Sequence, residues 1–299
     1  MNDIPPPTRH PANMDNLMYR IIFVLTTAIP CLCLTVAANA EDSPGADFVS
    51  SKALRQAGYD KFWNVDLPLR GGDRVSTVHL LDENLYIKTQ AGIVTAVQAD
   101  TGLIRWSRAL NDHAFRDRPP THVSTDAGDG PVVFVTHSKI HVIDRYSGDL
   151  VWQVELPMPA GGGAVADACD MYLGGADGHF YALRWQCTSH EPLIRWHAKT
   201  DGVVASNPSL ANDGRLYFAT TGGDVYCVTA ANKRLLWSYL TDGEISGGIH
   251  VDESGVYIAS EDHRLYVLNR DNGSLIRSYV LPGPLLEAPV VAQRTVYEY

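Results

Sequence analysis

The chain has 299 residues, of which 45% are hydrophobic and 19% are charged. This length allows one large or two ordinary domains, and the composition favours a folded core over general disorder. Acidic residues outnumber basic ones by 34 to 24, which gives a formal net charge of −10. Because phosphate binding needs a basic surface, this charge argues against nucleic acid as the main partner. The 25 glycines and 14 tyrosines favour a turn-rich β protein.

The N-terminal segment has the features of an export signal. An apolar run follows Arg20 and ends at the small-residue motif Ala38–Ala40. The alternative is an uncleaved anchor, because the run is long enough to span a bilayer. We predict a cleaved signal over residues 1–40 and an N-terminal extension over 41–59, with a short helix within 46–58. The mature protein is then periplasmic or secreted, with no stable membrane insertion.

One unit of sequence recurs through the rest of the chain. Each copy opens with an aromatic residue in an apolar run and closes on a tryptophan. The closing residues Trp106, Trp152, Trp196 and Trp237 lie 46, 44 and 41 residues apart, and Trp63 precedes the first of them by 43 residues. Four short β-rich runs separated by turn residues make up each copy. Four antiparallel strands every ~40–45 residues are typical of a β-propeller blade, with the tryptophans as structural wedges between blades.

The copies predict an all-β protein with five complete blades and a partial sixth. In the fourth copy the predicted strands cover residues 203–211, 215–220, 224–229 and 234–240.

The two ends of the repeat region are incomplete. Residues 61–67 have the pattern of a fourth strand without the first three. Residues 288–299 match a first strand and the start of a second. We therefore expect a propeller over residues 60–299 that is truncated at its C-terminus, with seven or eight blades in the full ring.

The repeats resemble those of the PQQ-like propeller family over about residues 60–299, as in AVQADTGLIRW (96–106), VIDRYSGDLVW (142–152) and DGHFYAL (177–183). One branch of that family is the quinoprotein dehydrogenases, which use PQQ and calcium and clamp the quinone under a disulfide between adjacent cysteines. The sequence has no such pair. The other branch is non-catalytic and BamB-like, and docks on a partner protein.

The resemblance leaves three functions to weigh. The favoured one is an exported, non-enzymatic interaction or scaffold module that needs no cofactor. A PQQ- and calcium-dependent quinoprotein dehydrogenase is the alternative. Binding of an envelope carbohydrate or another ligand is a third option.

Residues 111–122, between the first two complete copies, are the candidate partner site. This connection is longer than its equivalents, and it brings His113, Arg116 and Arg118 onto an acidic protein. Arginine is enriched at binding hot spots; the alternative is an ordinary solvated insertion. We predict a monomer that binds a protein partner of unknown identity.

The remaining residues of chemical interest have structural explanations. Asp-rich segments between the first and second strands are expected to be tight turns. His137 and His141 lack a third ligand, so we predict solvated histidines at a hairpin rather than a metal pair. Cys169 and Cys187 flank the central hairpin of the third copy, and we predict a structural disulfide between them. Cys227 is expected to be a small buried core residue, because Ala96 and Ala182 occupy its position in other copies.

Overall fold

Strands account for nearly all regular structure in the described part of the chain. The computed structural model describes residues 55–56, 58, 62–69, 71–110, 118–125, 128, 130–185, 193–292 and 295–297. Within these ranges only Arg55 and Gln56 have helical backbone. The helix predicted within 46–58 therefore falls mostly outside the described residues. No helix in the described ranges has the length and apolar character needed to cross a bilayer.

The described residues contain 22 strands. They are, in chain order, β1 (Val75–Leu81), β2 (Asn84–Thr89), β3 (Ile93–Gln98), β4 (Ile104–Ala109), β5 (Thr121–Ser124), β6 (Val132–Val135), β7 (Lys139–Ile143), β8 (Leu150–Glu155), β9 (Ala160–Asp167), β10 (Asp170–Gly175), β11 (His179–Arg184), β12 (Leu193–Lys199), β13 (Ser209–Leu210), β14 (Arg215–Ala219), β15 (Asp224–Thr229), β16 (Leu235–Leu240), β17 (Ile249–Val251), β18 (Val256–Ser260), β19 (Arg264–Leu268), β20 (Leu275–Val280), β21 (Val290–Ala292) and β22 (Thr295–Tyr297).

Consecutive strands form four-stranded antiparallel sets, which we call blades one to five. Blade one has the order β1–β2–β3–β4, and the same order recurs in β13–β16 and in β17–β20. Blades two and three form one eight-stranded sheet, because their first strands pair in parallel at Val123 with Ala166 and at Ser124 with Asp167. β21 and β22 form a separate two-stranded pair. The architecture is a β-propeller, as the repeat predicted.

The antiparallel order places the loops of each blade at two rims. Turns between first and second strands, and between third and fourth strands, lie at one rim, which we call the upper rim. Turns between second and third strands lie at the opposite, lower rim, together with the connections from one blade to the next. The described ends of the connection from β4 to β5, which contains the candidate partner residues, therefore lie at the lower rim.

Two of the predicted strands differ from the observed ones. The strand predicted over 203–211 is limited to Ser209–Leu210. Val203 instead exchanges hydrogen bonds with Thr221 in a neighbouring turn, and Pro208 has no N–H for a strand ladder. Residues 62–67, the described part of the strand predicted over 61–67, belong to no sheet, since no described strand pairs with them.

A bulge in every blade orients the residue at the tryptophan position. The register between the third and fourth strands shifts just before this position in all five blades. In blade one the shift leaves Arg105 out of the pairing and sets Trp106 opposite Ala96. In blade four Trp237 faces Cys227, which is fully buried as predicted. A small residue opposite the indole leaves room for the ring.

The tryptophans bind the turn between the third and fourth strands of the following blade. The indole N–H of Trp106 donates to the carbonyl oxygen of Arg145 at 3.1 Å. Gly148, three residues further, packs so closely under the ring that an added Cβ would lie 2.6 Å from Trp106 Cγ. Equivalent indole hydrogen bonds join Trp63 to Ala99, Trp196 to Ala230 and Trp237 to Arg270. Trp63 thus makes the contact of a blade tryptophan although its segment is not a strand.

Trp152 has a different neighbour from the other tryptophans. It packs against the apolar core around blades two and three, with its ring centroid 6.3 Å from that of Trp185. The turn of blade three that it would contact by analogy lies at residues 186–192, outside the described part.

The apolar core lies between neighbouring blades. One buried cluster combines Tyr86 and Trp106 of blade one with Phe134 and Ile143 of blade two. Another combines side chains of blades four and five, with Trp237 among them. Each blade therefore buries its faces against its neighbours, which is what a four-stranded sheet with two apolar faces requires.

Candidate functional site

The predicted partner residues are only partly within the described structure. Residues 111–117 lie outside it, so His113 and Arg116 are not placed. Arg118 is 8% exposed, and its Nη2 donates to the carbonyl oxygen of Ala160 in β9 at 2.8 Å. Arg118 therefore ties the connection to blade three and is not presented on the surface. A partner-binding role for the connection stays a prediction that rests on His113 and Arg116.

A small cavity of about 10 Å³, room for about one water molecule, lies beside the described end of this connection. Its wall includes three side chains that can carry positive charge, and none of its described residues is acidic. It is lined by His79, Tyr86, Lys88, Val94, Leu110, Arg118, Pro120, Phe134, Val135 and Thr136. The wall thus differs in charge from a protein whose net charge is −10.

His122, at the start of blade two, links the connection to blade one. Its Nε2 lies 2.8 Å from the hydroxyl of Tyr86, and its Nδ1 lies 2.8 Å from Oδ2 of Asp82. The ring also meets the Tyr86 ring edge to face, at 5.7 Å between centroids. Both nitrogens of this nearly buried imidazole are therefore engaged by blade one.

Arg145 supports the same contact from the turn between β7 and β8. It is 2% exposed, and its Nε donates to the carbonyl oxygen of Gly130 at 2.6 Å. Its Nη1 lies 3.7 Å from Asp82 Oδ2 and 3.5 Å from Glu83 Oε1. Arg145 of blade two thus forms ion pairs with Asp82 and Glu83, the two acidic residues in the first turn of blade one.

Burial and charge shift the titration of these groups in different directions. Burial is the main cause that lowers the pKa of His122, and the charge of Arg145 adds to it, while Asp82 acts the other way. Burial raises the pKa of Tyr86 well above its ordinary value. Burial alone would raise the pKa of Glu83, but its hydrogen bonds and Arg145 outweigh this, so its pKa is lowered. The neutral imidazole and the ionised acid are the favoured states.

The sequence does not predict the cluster around His122. Arg145 stands three residues before the turn glycine, where blade one has Ala99, and this difference between copies is the one visible signal. His122 gives no signal, because it follows an irregular connection with no repeat to align.

The Asp-rich segments form turns as predicted, whereas only one of the two histidines of blade two is exposed. Asp167, Asp213 and Asp252 each accept backbone N–H bonds within their own turns, as predicted. His137 is exposed in its turn. The prediction for His141 is wrong: it is 6% exposed and lies within β7, because the turn is short enough for the strand to begin at Lys139.

The cysteines and acids of the described part form no second site. Cys169 is exposed and forms no disulfide with another described cysteine, and Cys227 is a buried thiol whose pKa burial raises to about 11. Cys187 lies outside the described residues, so its pairing with Cys169 stays a prediction. No cluster of three or more His, Cys, Asp or Glu side chains in the described part is arranged to hold a metal ion.

The fold and its repeated tryptophan contacts define a β-propeller assembled from PQQ-like repeats. A family described as outer membrane protein assembly factor BamB matches the chain over residues 60–178, 90–239, 139–275 and 239–298. These matches cover most of the sequence. The chain therefore belongs to this BamB-like family of PQQ-like repeat proteins.

Individual relatives are distant from this chain. It is 22% identical over 259 residues to outer membrane protein assembly factor BamB of Shewanella oneidensis, a match that covers 82% of this chain and 62% of the relative. The chain thus spans less than two thirds of that relative's length. The structure of BamB from Moraxella catarrhalis overlaps with a TM-score of 0.49 at 21% identity, over 77% of this chain and 81% of that one.

A further solved structure has a similar fold. Sqt1 of Saccharomyces cerevisiae overlaps with a TM-score of 0.57 at 12% identity, over 76% of this chain and 72% of that one. At this identity the similarity concerns the fold alone.

Proposed function

We propose that the chain is an exported, non-enzymatic propeller that docks on a protein partner in outer-membrane protein assembly. The observation that carries this proposal is the family match along residues 60–298. The named activity of the family and of the Shewanella oneidensis relative is assembly of outer-membrane proteins. A propeller whose neighbouring blades are tied by tryptophan contacts suits a role in which loops are presented and no bond is made or broken.

The connection between blades one and two is the docking site that we favour. Its described ends lie at the lower rim, beside a small cavity that has basic and aromatic side chains in its wall. Positive charge on an acidic protein attracts acidic groups of a partner and orients the encounter. Arg116 and His113 would make the contact, with Arg118 holding the base of the connection in place.

Complementation in the source organism tests both parts of the proposal. Deleting the gene should lower the amount of folded outer-membrane proteins, and the wild-type gene should restore it. The Arg116→Glu variant should restore it incompletely. Arg234→Glu is the matched control, since this exposed arginine lies in an upper-rim turn of blade four, and it should restore assembly fully. Unchanged assembly after deletion would refute the function, and full rescue by Arg116→Glu would refute the site.

The non-enzymatic assignment has its own test. The purified full chain is incubated with PQQ and calcium, and dye-linked oxidation of alcohols and sugars is followed. We expect no turnover above the rate of the protein-free mixture. Turnover that depends on both added components would make the protein a quinoprotein dehydrogenase.

Export is tested separately from function. The protein expressed from its own start should be recovered outside the cytoplasm with a new N-terminus at Glu41, which N-terminal sequencing detects. A chain that retains residues 21–40 in the membrane would instead be anchored.

A further inference from the structure

The hydrogen bonds across the junction of blades one and two run in a fixed direction. Arg105 Nε donates to Asn84 Oδ1 at 2.7 Å. Because a guanidinium can only donate, the Asn84 atom that faces it must be the carbonyl oxygen. The amide nitrogen of Asn84 therefore faces the hydroxyl oxygen of Tyr86, at 3.4 Å, and donates to it. The proton of that hydroxyl is then available for His122 Nε2, 2.8 Å away.

The carboxylate of Asp82 sets the tautomer of His122, because it can only accept and lies 2.8 Å from Nδ1, which therefore carries the proton. In the neutral ring Nε2 then carries no proton and accepts from the hydroxyl of Tyr86. The imidazole is thus the neutral Nδ1–H tautomer. We propose that His122 is a pH-sensitive lock between the first two blades, closed while its imidazole is neutral and opened when Nε2 takes up a proton.

Protonation places two donors against one hydroxyl oxygen. A proton on Nε2 points at the oxygen of Tyr86, which already accepts from Asn84. The O–H of Tyr86 then loses Nε2 as its acceptor, and Tyr86 is 1% exposed. Leaving a buried donor unsatisfied is costly, so the contact between the two blades weakens.

Burial is the main effect that opposes protonation of His122, while the charges around it act in both directions: Arg145 opposes protonation, and Asp82 and Glu83 favour it. The groups that face the ring are Tyr86 on β2, Asp82 and Glu83 in the first turn of blade one, and Arg145 in the turn between β7 and β8. Arg145 is buried and repels a second cation. The side chain of Asp82 is 67% exposed, so water screens its attraction, and it already lies near Arg145.

The sign of the pH effect follows from the lowered pKa of His122. In the unfolded chain this pKa returns to its ordinary value, so at mildly acidic pH the unfolded state binds more protons. The stability that the lock contributes is then fully present above the ordinary value and is lost as the pH falls from there toward the lowered pKa. Acidic pH therefore weakens the contact between blades one and two, whereas alkaline pH leaves it intact.

The first experiment reads the tautomer directly by ¹⁵N NMR of the ring nitrogens in the full chain. At neutral pH, Nε2 of His122 should be unprotonated, and the ring should titrate below an unstructured peptide. Tyr86→Phe removes the donor to Nε2 and should raise the titration midpoint, whereas a merely packed histidine would titrate unchanged. A proton on Nε2 at neutral pH, or a midpoint at or above that of the peptide, would overturn the proposal.

The second experiment measures the unfolding equilibrium constant of the full chain from about pH 7.5 to about pH 5.5. Over this range it should rise more in the wild type than in His122→Gln, by a factor on the order of three to ten. His137→Gln changes an exposed histidine of blade two and should follow the wild type. Parallel profiles for the wild type and His122→Gln would contradict the proposal. The lock acts whether or not a partner is bound, so these results are independent of the docking function.

Discussion

The junction of blades one and two and that of blades four and five share one framework. In each, the closing tryptophan of the earlier blade covers a turn glycine of the later blade. The contacts are Trp106 on Gly148 and Trp237 on Gly273. Both glycines have a positive φ, 76° and 70°, so the turn is a left-handed one that an L residue adopts only with strain.

The two junctions also share an ion pair. An arginine three residues before the turn glycine reaches back to the first turn of the earlier blade. Arg145 meets Asp82 in this way, and Arg270 meets Asp213. The same repeat position therefore supplies the cation at both junctions.

The junctions differ in what surrounds the buried tyrosine. The hydroxyl of Tyr86 lies between Asn84 and His122, whereas the equivalent hydroxyl of Tyr217 is buried with no hydrogen-bond partner in the described structure. Blade four has Arg215 where blade one has Asn84, and its guanidinium binds Asp271 instead. The repeat thus fixes the shape of a junction, while its polar connections are particular to each copy.

The shared contact should give equal and large effects at both junctions. Gly148→Ala and Gly273→Ala each force a strained φ and push a Cβ into an indole, at an expected cost of about 2 to 5 kcal/mol in the free energy of unfolding. Gly214→Ala is the matched control: its φ is 76° but nothing lies within 4 Å of an added Cβ, so it should cost only about 1 to 2 kcal/mol. Chemical denaturation measures all three variants. Equal losses in the free energy of unfolding would show that packing of the tryptophans against Gly148 and Gly273 does not constrain these turns.

The differing contact should give unequal effects. Tyr86→Phe leaves His122 Nε2 and Asn84 without their partner and should cost about 1 to 3 kcal/mol. Tyr217→Phe removes a hydroxyl that makes no hydrogen bond of good geometry, although Arg215 and Arg270 lie beside it, and should cost less than Tyr86→Phe. Denaturation at neutral pH measures the free energy of unfolding of both variants. A larger loss for Tyr217→Phe than for Tyr86→Phe would contradict the difference between the two junctions.

The smallest effect is expected at the junction of blades three and four. Lys233 occupies the turn-glycine position there, with a φ of 54°, and Trp196 binds the turn through Ala230. Lys233→Gly relieves the left-handed strain and should stabilise the chain by about 0.5 to 1 kcal/mol, after the higher chain entropy of glycine is counted. A thermal melt detects this gain, and a loss would mean that the bond from Lys233 Nζ to the carbonyl of His197 matters more.

The repeat made the fold and much of the junction framework predictable. Tryptophans at a spacing of about 40 to 45 residues identify the blades, and the turn glycines stand in phase with them. The strand predicted over 203–211 failed because apolar and β-branched residues there are used in turn hydrogen bonds around Val203. Propensity cannot distinguish these two uses of the same residues.

The candidate site was less predictable, because its residues come from irregular segments. Arg118 reads as a surface cation in sequence, yet the fold directs it to a backbone carbonyl of blade three. His122 meets Tyr86 and Asp82 only because two blades are side by side. Such contacts join residues that do not occupy equivalent positions of the repeat, so a search for repeated patterns does not find them.

Crosslinking in cells tests the central claim, docking through the lower rim, most directly. A photoreactive residue is placed at position 113 or 116 in the connection, and at Glu253, an exposed residue of the upper rim, as the control. The two connection positions should give an adduct with one outer-membrane assembly protein, identified by mass spectrometry, and the control should not. No adduct from the connection, or the same adduct from position 253, would contradict the account.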